Sequence, residues 1–102
     1  MSIQESGVVY DNLEYKVSRA EVYNVVDGER IYQRNGRGNA LRHTDQPPMT
    51  TGEYILCMEE TLKQAREAWY KPDGDQQCLH AIRKTTALGV AAMEIHGAPP
   101  RT

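Results

Sequence analysis

The last quarter of the chain, Leu79 to Thr102, constrains the fold more than any other stretch. From Ala87 to Met93, seven consecutive residues carry no polar side chain. A helix on the surface of a small monomer keeps one polar face, so this pattern predicts a helix that is buried on more than one side. A chain of 102 residues has one short helical partner to offer it. We therefore expect the remaining apolar surface to contact a second copy of the protein.

The composition is that of one small domain with a modest core. Hydrophobic residues make up 39% of the chain and Phe is absent. The formal net charge is −2 and no Lys/Arg block exists, which argues against binding of a nucleic-acid polymer. Cys57 and Cys78 lack the spacing of metal ligands, so we predict small buried thiols in a reducing compartment, and no metal or cofactor. The sequence shows neither a signal peptide nor a membrane span, and we expect a cytoplasmic protein without membrane contact.

The N-terminal half carries the signals of β-structure. Three short runs are rich in β-branched and aromatic residues: Val8–Tyr10, Leu13–Val17 and Glu21–Val26. Asp27-Gly28 stands between two such stretches, as in a tight hairpin turn. Asn35–Asn39 reads as a loop, and Pro47-Pro48 ends an extended stretch. Residues 1–46 are therefore predicted to form an antiparallel β-meander followed by a loop.

The C-terminal half changes to helical periodicity. Thr50 and Glu53 have capping-box spacing, and an apolar stripe follows at steps of three and four: Ile55, Met58, Leu62, Ala65 and Trp69. After a break at Tyr70–Gly74, Asp75 is the predicted cap of a second helix from Gln76 to His96. Gly97 suits the left-handed position that ends a helix.

These patterns predict one α+β domain over residues 1–102. Its N-terminal antiparallel β-meander is followed by two long antiparallel C-terminal helices, which form a helical hairpin over residues 50–96, and by a tail over residues 97–102. A short break between two helices favours the antiparallel arrangement, and small residues on the second helix suit close packing.

For catalysis the sequence offers little. It contains no phosphate loop, no HExxH and no GxSxG, so we predict a protein that is not an enzyme. One alternative rests on Glu59-Glu60 and Glu67, which resemble the EExxE helix of MazG-type nucleoside triphosphate pyrophosphohydrolases, where carboxylates hold Mg²⁺. Lys63 stands at the third carboxylate position, and the second helix offers Glu94 alone. Charge pairs on a solvated helix face are the competing interpretation.

Aromatic and basic residues stand at the ends of the two helices. Trp69 and Tyr70 close the first helix, and Arg101 and Thr102 follow the second. Within one antiparallel hairpin these pairs lie at opposite poles. In a twofold dimer, the aromatic pole of one chain faces the Arg101 pole of the other, and a composite nucleotide pocket forms, with a ring for the base and donors for phosphates. Alternatively, Trp69 is the last core residue of its helix and Arg101 lies in a frayed terminus.

This layout resembles the phage-encoded anti-Thoeris sponge proteins, the first class of Thoeris anti-defence protein. The resemblance implies non-catalytic sequestration of glycocyclic ADP-ribose isomers, which blocks bacterial anti-phage defence in the host cytoplasm. It implies homodimers that assemble into hexamers as trimers of dimers, with cyclic oligonucleotides as a second ligand class at a separate site. Six ligand-binding residues follow: Trp69, Tyr70, Arg101, Thr102, Arg83 and Lys84. The aromatic pair would stack on adenine, the Arg-Thr pair would contact phosphates from the partner subunit, and the two basic helix residues would serve a second anion site.

Three functions are compatible with the sequence. The first is the cyclic nucleotide sponge, the second is a MazG-like Mg²⁺-dependent pyrophosphohydrolase, and the third is a structural or regulatory oligomer with no small ligand.

Overall fold

A computed structural model describes residues 9–10, 13–37 and 47–102. The elements follow in this order: β1 (Val9–Tyr10), β2 (Leu13–Glu14), α1 (Arg19–Ile31) with a π-helical continuation (Tyr32–Arg37), α2 (Thr51–Trp69) and α3 (Gly74–His96). The two short strands pair antiparallel, with Val9 opposite Glu14 and Tyr10 opposite Leu13. Among the described residues this two-residue pairing is all the β-structure there is, so the fold is helical.

The predicted α+β class and its N-terminal β-meander are therefore wrong. Asp27-Gly28 is not a hairpin turn, because both residues lie within α1. The predicted loop at Asn35–Asn39 begins inside the π-helical segment. The rest of that loop, the extended stretch up to residue 46 and Val8 of the first predicted strand lie outside the described residues.

Local capping and tertiary contacts explain why β-branched residues form α1. The Ser18 hydroxyl accepts a hydrogen bond from the Glu21 backbone N–H at 3.1 Å and so caps the helix. Val26 is buried, and the helix packs on α3. Strand preference depends strongly on context, and the cost of Gly28 in a helix is only about 1 kcal/mol relative to Ala. The packing of α1 on α3 is enough to offset it.

Both predicted C-terminal helices are present, and their ends have clear causes. The Thr50 hydroxyl accepts from the Glu53 N–H at 3.1 Å, and the Glu53 carboxylate accepts from the Thr50 N–H at 2.8 Å, which completes the predicted capping box. Helix α3 begins at Gly74, with Asp73 in the cap position. Asp75 lies in the first turn, so the prediction that Asp75 caps this helix is wrong. Gly97 ends α3 with φ of +112°.

A histidine joins the two helices at the pole where α2 begins and α3 ends. His96 donates a ring N–H to the Met49 carbonyl at 2.7 Å. Its ring also meets Tyr54 edge to face, with centroids 6.3 Å apart. Since Tyr54 is one of the few large buried side chains, these contacts hold the C-terminal end of α3 against the start of α2.

Helix α3 is the central helix, because it packs against α2 and against α1. Facing α2, Ala81 and Thr85 are buried, and the Thr85 hydroxyl is hydrogen-bonded to that of Thr61. Ala87 is fully buried, and it lies one turn after Arg83, whose side chain contacts Glu29 of α1. The core is thus built largely from small residues, and no large side chain of the described chain is fully buried. Burial on two sides agrees with the all-apolar run of α3.

None of the described helices is both long enough and apolar enough to cross a bilayer.

Candidate functional site

An exposed aromatic pair marks the turn between α2 and α3. The rings of Trp69 and Tyr70 pack edge to face, with centroids 5.2 Å apart and planes at 66°. Their exposed fractions are 60% and 74%. An edge-to-face pair is a favourable aromatic geometry that restrains both rings. The pair therefore offers π-faces to a planar ligand at little cost in side-chain entropy.

A polar groove of about 420 Å³ lies between the end of α2 and the start of α3, and Lys71, the residue that follows Tyr70, lines it. Ala68 and Ala81 lie within it, and their small side chains leave the space open. Lys71 and Lys84 contribute two ammonium groups, against the single carboxylate of Glu67. The groove is open to solvent and its lining is mainly polar, and the excess of positive charge favours an anionic group.

The structure separates the two basic residues predicted as a second anion site. Arg83 donates from Nε to Glu29 Oε1 at 2.8 Å, and its Nη1 lies 2.6 Å from His80 Nδ1. Its guanidinium therefore links α3 to α1. Lys84 instead lines the polar groove. The carbonyl of Lys84 accepts a hydrogen bond from Gln33 Nε2 at 3.4 Å, so its backbone is also held by the segment that follows α1.

The predicted phosphate-binding residues lie at the other pole. Arg101 and Thr102 follow Gly97 in an exposed tail. Helix α3 has 23 residues, and at a rise of 1.5 Å per residue its ends are about 34 Å apart. One chain therefore does not bring Arg101 to the Trp69–Tyr70 pair, and a composite pocket needs a second copy.

The carboxylates of the MazG-like alternative are dispersed. Glu59 and Glu60 are exposed on α2, and Glu94 accepts from Arg30 Nε at 2.6 Å in an ion pair between α3 and α1. Within the described part of the chain, no three His, Cys, Asp or Glu side chains lie close enough together to hold a metal ion.

Two features of this region were not predicted from the sequence. The first is the polar groove, which could have been found from polar residues at seven-residue spacing, such as Gln64 and Lys71 on α2. The second is a split in the apolar stripe of α2. Ala65 is buried and Met58 half-buried beside α3, whereas every second member of the stripe is exposed: Ile55, Leu62 and Trp69.

Comparison of the chain with protein-family models, with curated proteins and with solved structures finds no match. The functional conclusion therefore rests on the residues of the site.

Proposed function

We propose that this protein binds a cyclic nucleotide signal without converting it, and that the binding site lies between the two copies of a homodimer. Glycocyclic ADP-ribose isomers are the first ligand class, and cyclic oligonucleotides are the second. Sequestration of such a signal in the host cytoplasm would block an anti-phage response. The observation that carries the proposal is the exposed, mutually packed Trp69–Tyr70 pair, which Lys71 of the polar groove follows directly in the chain.

The chemistry of the proposed site follows from these groups. Stacking of a base on an aromatic side chain contributes about 1–3 kcal/mol, and Tyr70 has the more exposed ring of the pair. Arg101 of the second copy supplies a guanidinium, which binds phosphate through two parallel hydrogen bonds, and Thr102 adds a hydroxyl donor. Lys71 follows Tyr70 directly, so it adds positive charge where phosphates would extend toward the groove. Binding of this kind needs no acid, base or nucleophile.

A specific observation also favours the structural or regulatory oligomer. Large apolar side chains of α2 and α3 are exposed on a single chain, and contiguous exposed apolar surface marks interaction sites. An oligomer without a small ligand accounts for this surface, but it leaves the aromatic pair and the groove without a role.

A thermal-shift titration tests the proposal, with cyclic ADP-ribose isomers, cyclic di- and trinucleotides, and linear dNTPs with Mg²⁺ as probes. A ligand at 100 times its Kd stabilises the native state by about 2.7 kcal/mol, so Tm should rise by roughly 10 °C or more for a domain of this size. Chromatography of the heat-released ligand should recover it unchanged. No shift with any cyclic nucleotide would refute the proposal, and turnover of a linear dNTP would favour the pyrophosphohydrolase.

Matched variants locate the site. Tyr70→Ala and Arg101→Ala should each abolish most of the ligand-dependent shift, because one removes the stacking ring and the other the phosphate donor. Tyr23→Ala and Arg19→Ala are the controls, since both residues are exposed and lie on α1. Equal loss of the shift in a control and in its matched variant would place the ligand elsewhere.

A further inference from the structure

One side of the α2–α3 hairpin carries an apolar face that the described residues do not cover. On α2 it consists of Ile55, Leu62 and Trp69, spaced seven residues apart; on α3 it consists of Leu79, Ile82 and Met93. These six side chains are 42–60% exposed. A seven-residue spacing keeps side chains on one stripe of a helix, which is the pattern of a helix–helix seam.

The two stripes lie on the same side of the hairpin. Gly89, which lies between Ile82 and Met93 on the same stripe, is close to α2, because a Cβ added there would be 3.6 Å from Met58 Cε. On α2, Met58 is one turn from both Ile55 and Leu62. The helical repeat then places the apolar positions of both helices on adjoining strips of one surface, which we call the hairpin face.

The hairpin face is large enough to need a partner. Six large side chains, each about half exposed, present on the order of 600 Å² of apolar area, whereas patches beyond a few hundred Å² are rare on monomers. Neighbouring residues such as Met58, Thr86 and Val90 extend this area toward the roughly 800 Å² per partner that a standard interface buries.

The apolar stripe on α2 is symmetric about Leu62. Leu62 is seven residues from Ile55 and seven from Trp69. If a second α2 packs antiparallel about a twofold axis at Leu62, Leu62 meets the partner's Leu62 and Ile55 meets the partner's Trp69. Such a self-complementary patch is what a twofold interface requires.

The same axis suits α3. Thr86 is seven residues from Leu79 and seven from Met93, so an antiparallel α3 pair centred on Thr86 places Leu79 against the partner's Met93. The hydrogen bond between Thr61 and Thr85 shows that Leu62 and Thr86 lie at nearly the same height in the hairpin. One twofold axis therefore passes near both centres, and the small Thr86 and Gly89 allow the two α3 helices to come close.

The charges at the rim of the face follow the same symmetry. Glu59 and Arg66 are exposed, lie seven residues apart, and both follow the Ile55–Leu62–Trp69 stripe by four residues. Antiparallel pairing about Leu62 places Glu59, three residues before the axis, near the partner's Arg66, four residues after it. The offset of one residue, about 1.5 Å, is within the reach of an Arg side chain, and the symmetry repeats this ion pair. A face with such internal complementarity fits a second copy of itself better than an unrelated protein.

From this spacing, area and charge we infer that the occupant of the hairpin face is a second copy of this chain, packed antiparallel about a twofold axis at Leu62 and Thr86. The partner's α3 then ends at the pole of the Trp69–Tyr70 pair, and the partner's Arg101 follows there. Trp69 lies at the end of the interface, and Tyr70, the more exposed ring of the pair, follows it. This interface does not depend on a nucleotide.

The first test is the mass of the full chain in solution, measured by light scattering and sedimentation at micromolar concentrations. The wild type should be a dimer, and Leu62→Arg should be a monomer, because it places two cations at the axis. Lys63→Arg is the control and should stay dimeric. A monomeric wild type, or a Leu62→Arg variant that still dimerises, would overturn the inference.

A charge exchange tests the register. Glu59→Arg and Arg66→Glu should each weaken dimerisation about tenfold, because two ion pairs become two like-charge contacts, and the double variant should restore the wild-type Kd. Equal weakening in the double variant would show that the two residues do not meet. This test does not depend on Leu62→Arg remaining folded.

A crosslink completes the assignment. With Cys57 and Cys78 replaced by alanine, Leu62→Cys should give a covalent dimer under mild oxidation, because the axis brings the two thiols together, whereas Lys63→Cys should not. Failure of this crosslink would place the axis elsewhere and overturn the register. The outcomes also separate the two proposals: a dimer that no nucleotide stabilises refutes the proposed function alone, and nucleotide binding by a monomer refutes the interface alone.

Discussion

Gly74 opens α3 at the point where the chain reverses after α2, and it is buried. A Cβ at this position would overlap the carbonyl oxygen of Ala68, and the carbonyl carbons of Ala68 and Trp69 would be 3.0 and 3.1 Å away. All three atoms belong to the backbone, so no side-chain rotation can relieve the overlap. Gly74→Ala must therefore push the end of α2 away from the start of α3. We expect a loss of about 1–3 kcal/mol in the free energy of unfolding, as for overpacked sites.

For a domain of this size that loss corresponds to a fall in Tm of roughly 5–20 °C, which far-UV circular dichroism measures directly. Gly28→Ala is the matched control, because no atom lies within 4 Å of an added Cβ there. Helix propensity alone should then stabilise this control by about 0.5–1 kcal/mol. If Gly74→Ala were as stable as the wild type, the close approach of the two helices at the turn would be refuted.

Three further predictions concern the helix ends and the α1–α3 contact. Thr50→Ala should lower the unfolding free energy by about 1 kcal/mol, because it removes the α2 cap, while Thr51→Ala should have little effect in the same denaturant titration. Ala87→Leu should cost about 1–3 kcal/mol in that assay, because the site is fully buried; an unchanged midpoint would contradict its position between helices. A double-mutant cycle on Arg83 and Glu29 should give a coupling near 1 kcal/mol that weakens with salt, since the pair is partly exposed; zero coupling would contradict the ion pair.

The helical hairpin could be predicted because its signals are local. The capping box at Thr50 and Glu53, the three-and-four spacing of α2 and the glycine after His96 each depend on neighbours within one turn. Helix α1 could not be predicted from local signals of this kind. Its Val25-Val26-Asp27-Gly28 stretch favours strands and turns locally. Burial of Val26 in the folded protein stabilises the helix instead. The cap that Ser18 forms with the Glu21 backbone N–H was not predicted from the sequence.

The candidate site was predictable only in part. The exposed aromatic pair at the end of α2 follows from its place before the turn. The ion pair between Arg83 and Glu29 could not be predicted, because Glu29 belongs to a helix that was not predicted from the sequence. Lys84, the next residue, does not make this contact, because adjacent residues of a helix point in directions about 100° apart. Adjacent basic residues in a helix thus acquired different roles from a tertiary contact.

The distribution of residue sizes on α3 links its packing to its stability. Small side chains such as Ala81 and Ala87 face the neighbouring helices and allow close helix packing, but they remove little apolar area from water. The large side chains, Leu79, Ile82 and Met93, face outward, and full burial of each would contribute about 1.5–3 kcal/mol. On the proposed interface, burial of these side chains by a second copy would add to the stability of the hairpin. We therefore expect Tm to rise with protein concentration in the wild type and to be independent of concentration in Leu62→Arg. A wild-type Tm that does not change with concentration would mean that the single chain is stable with its hairpin face in water.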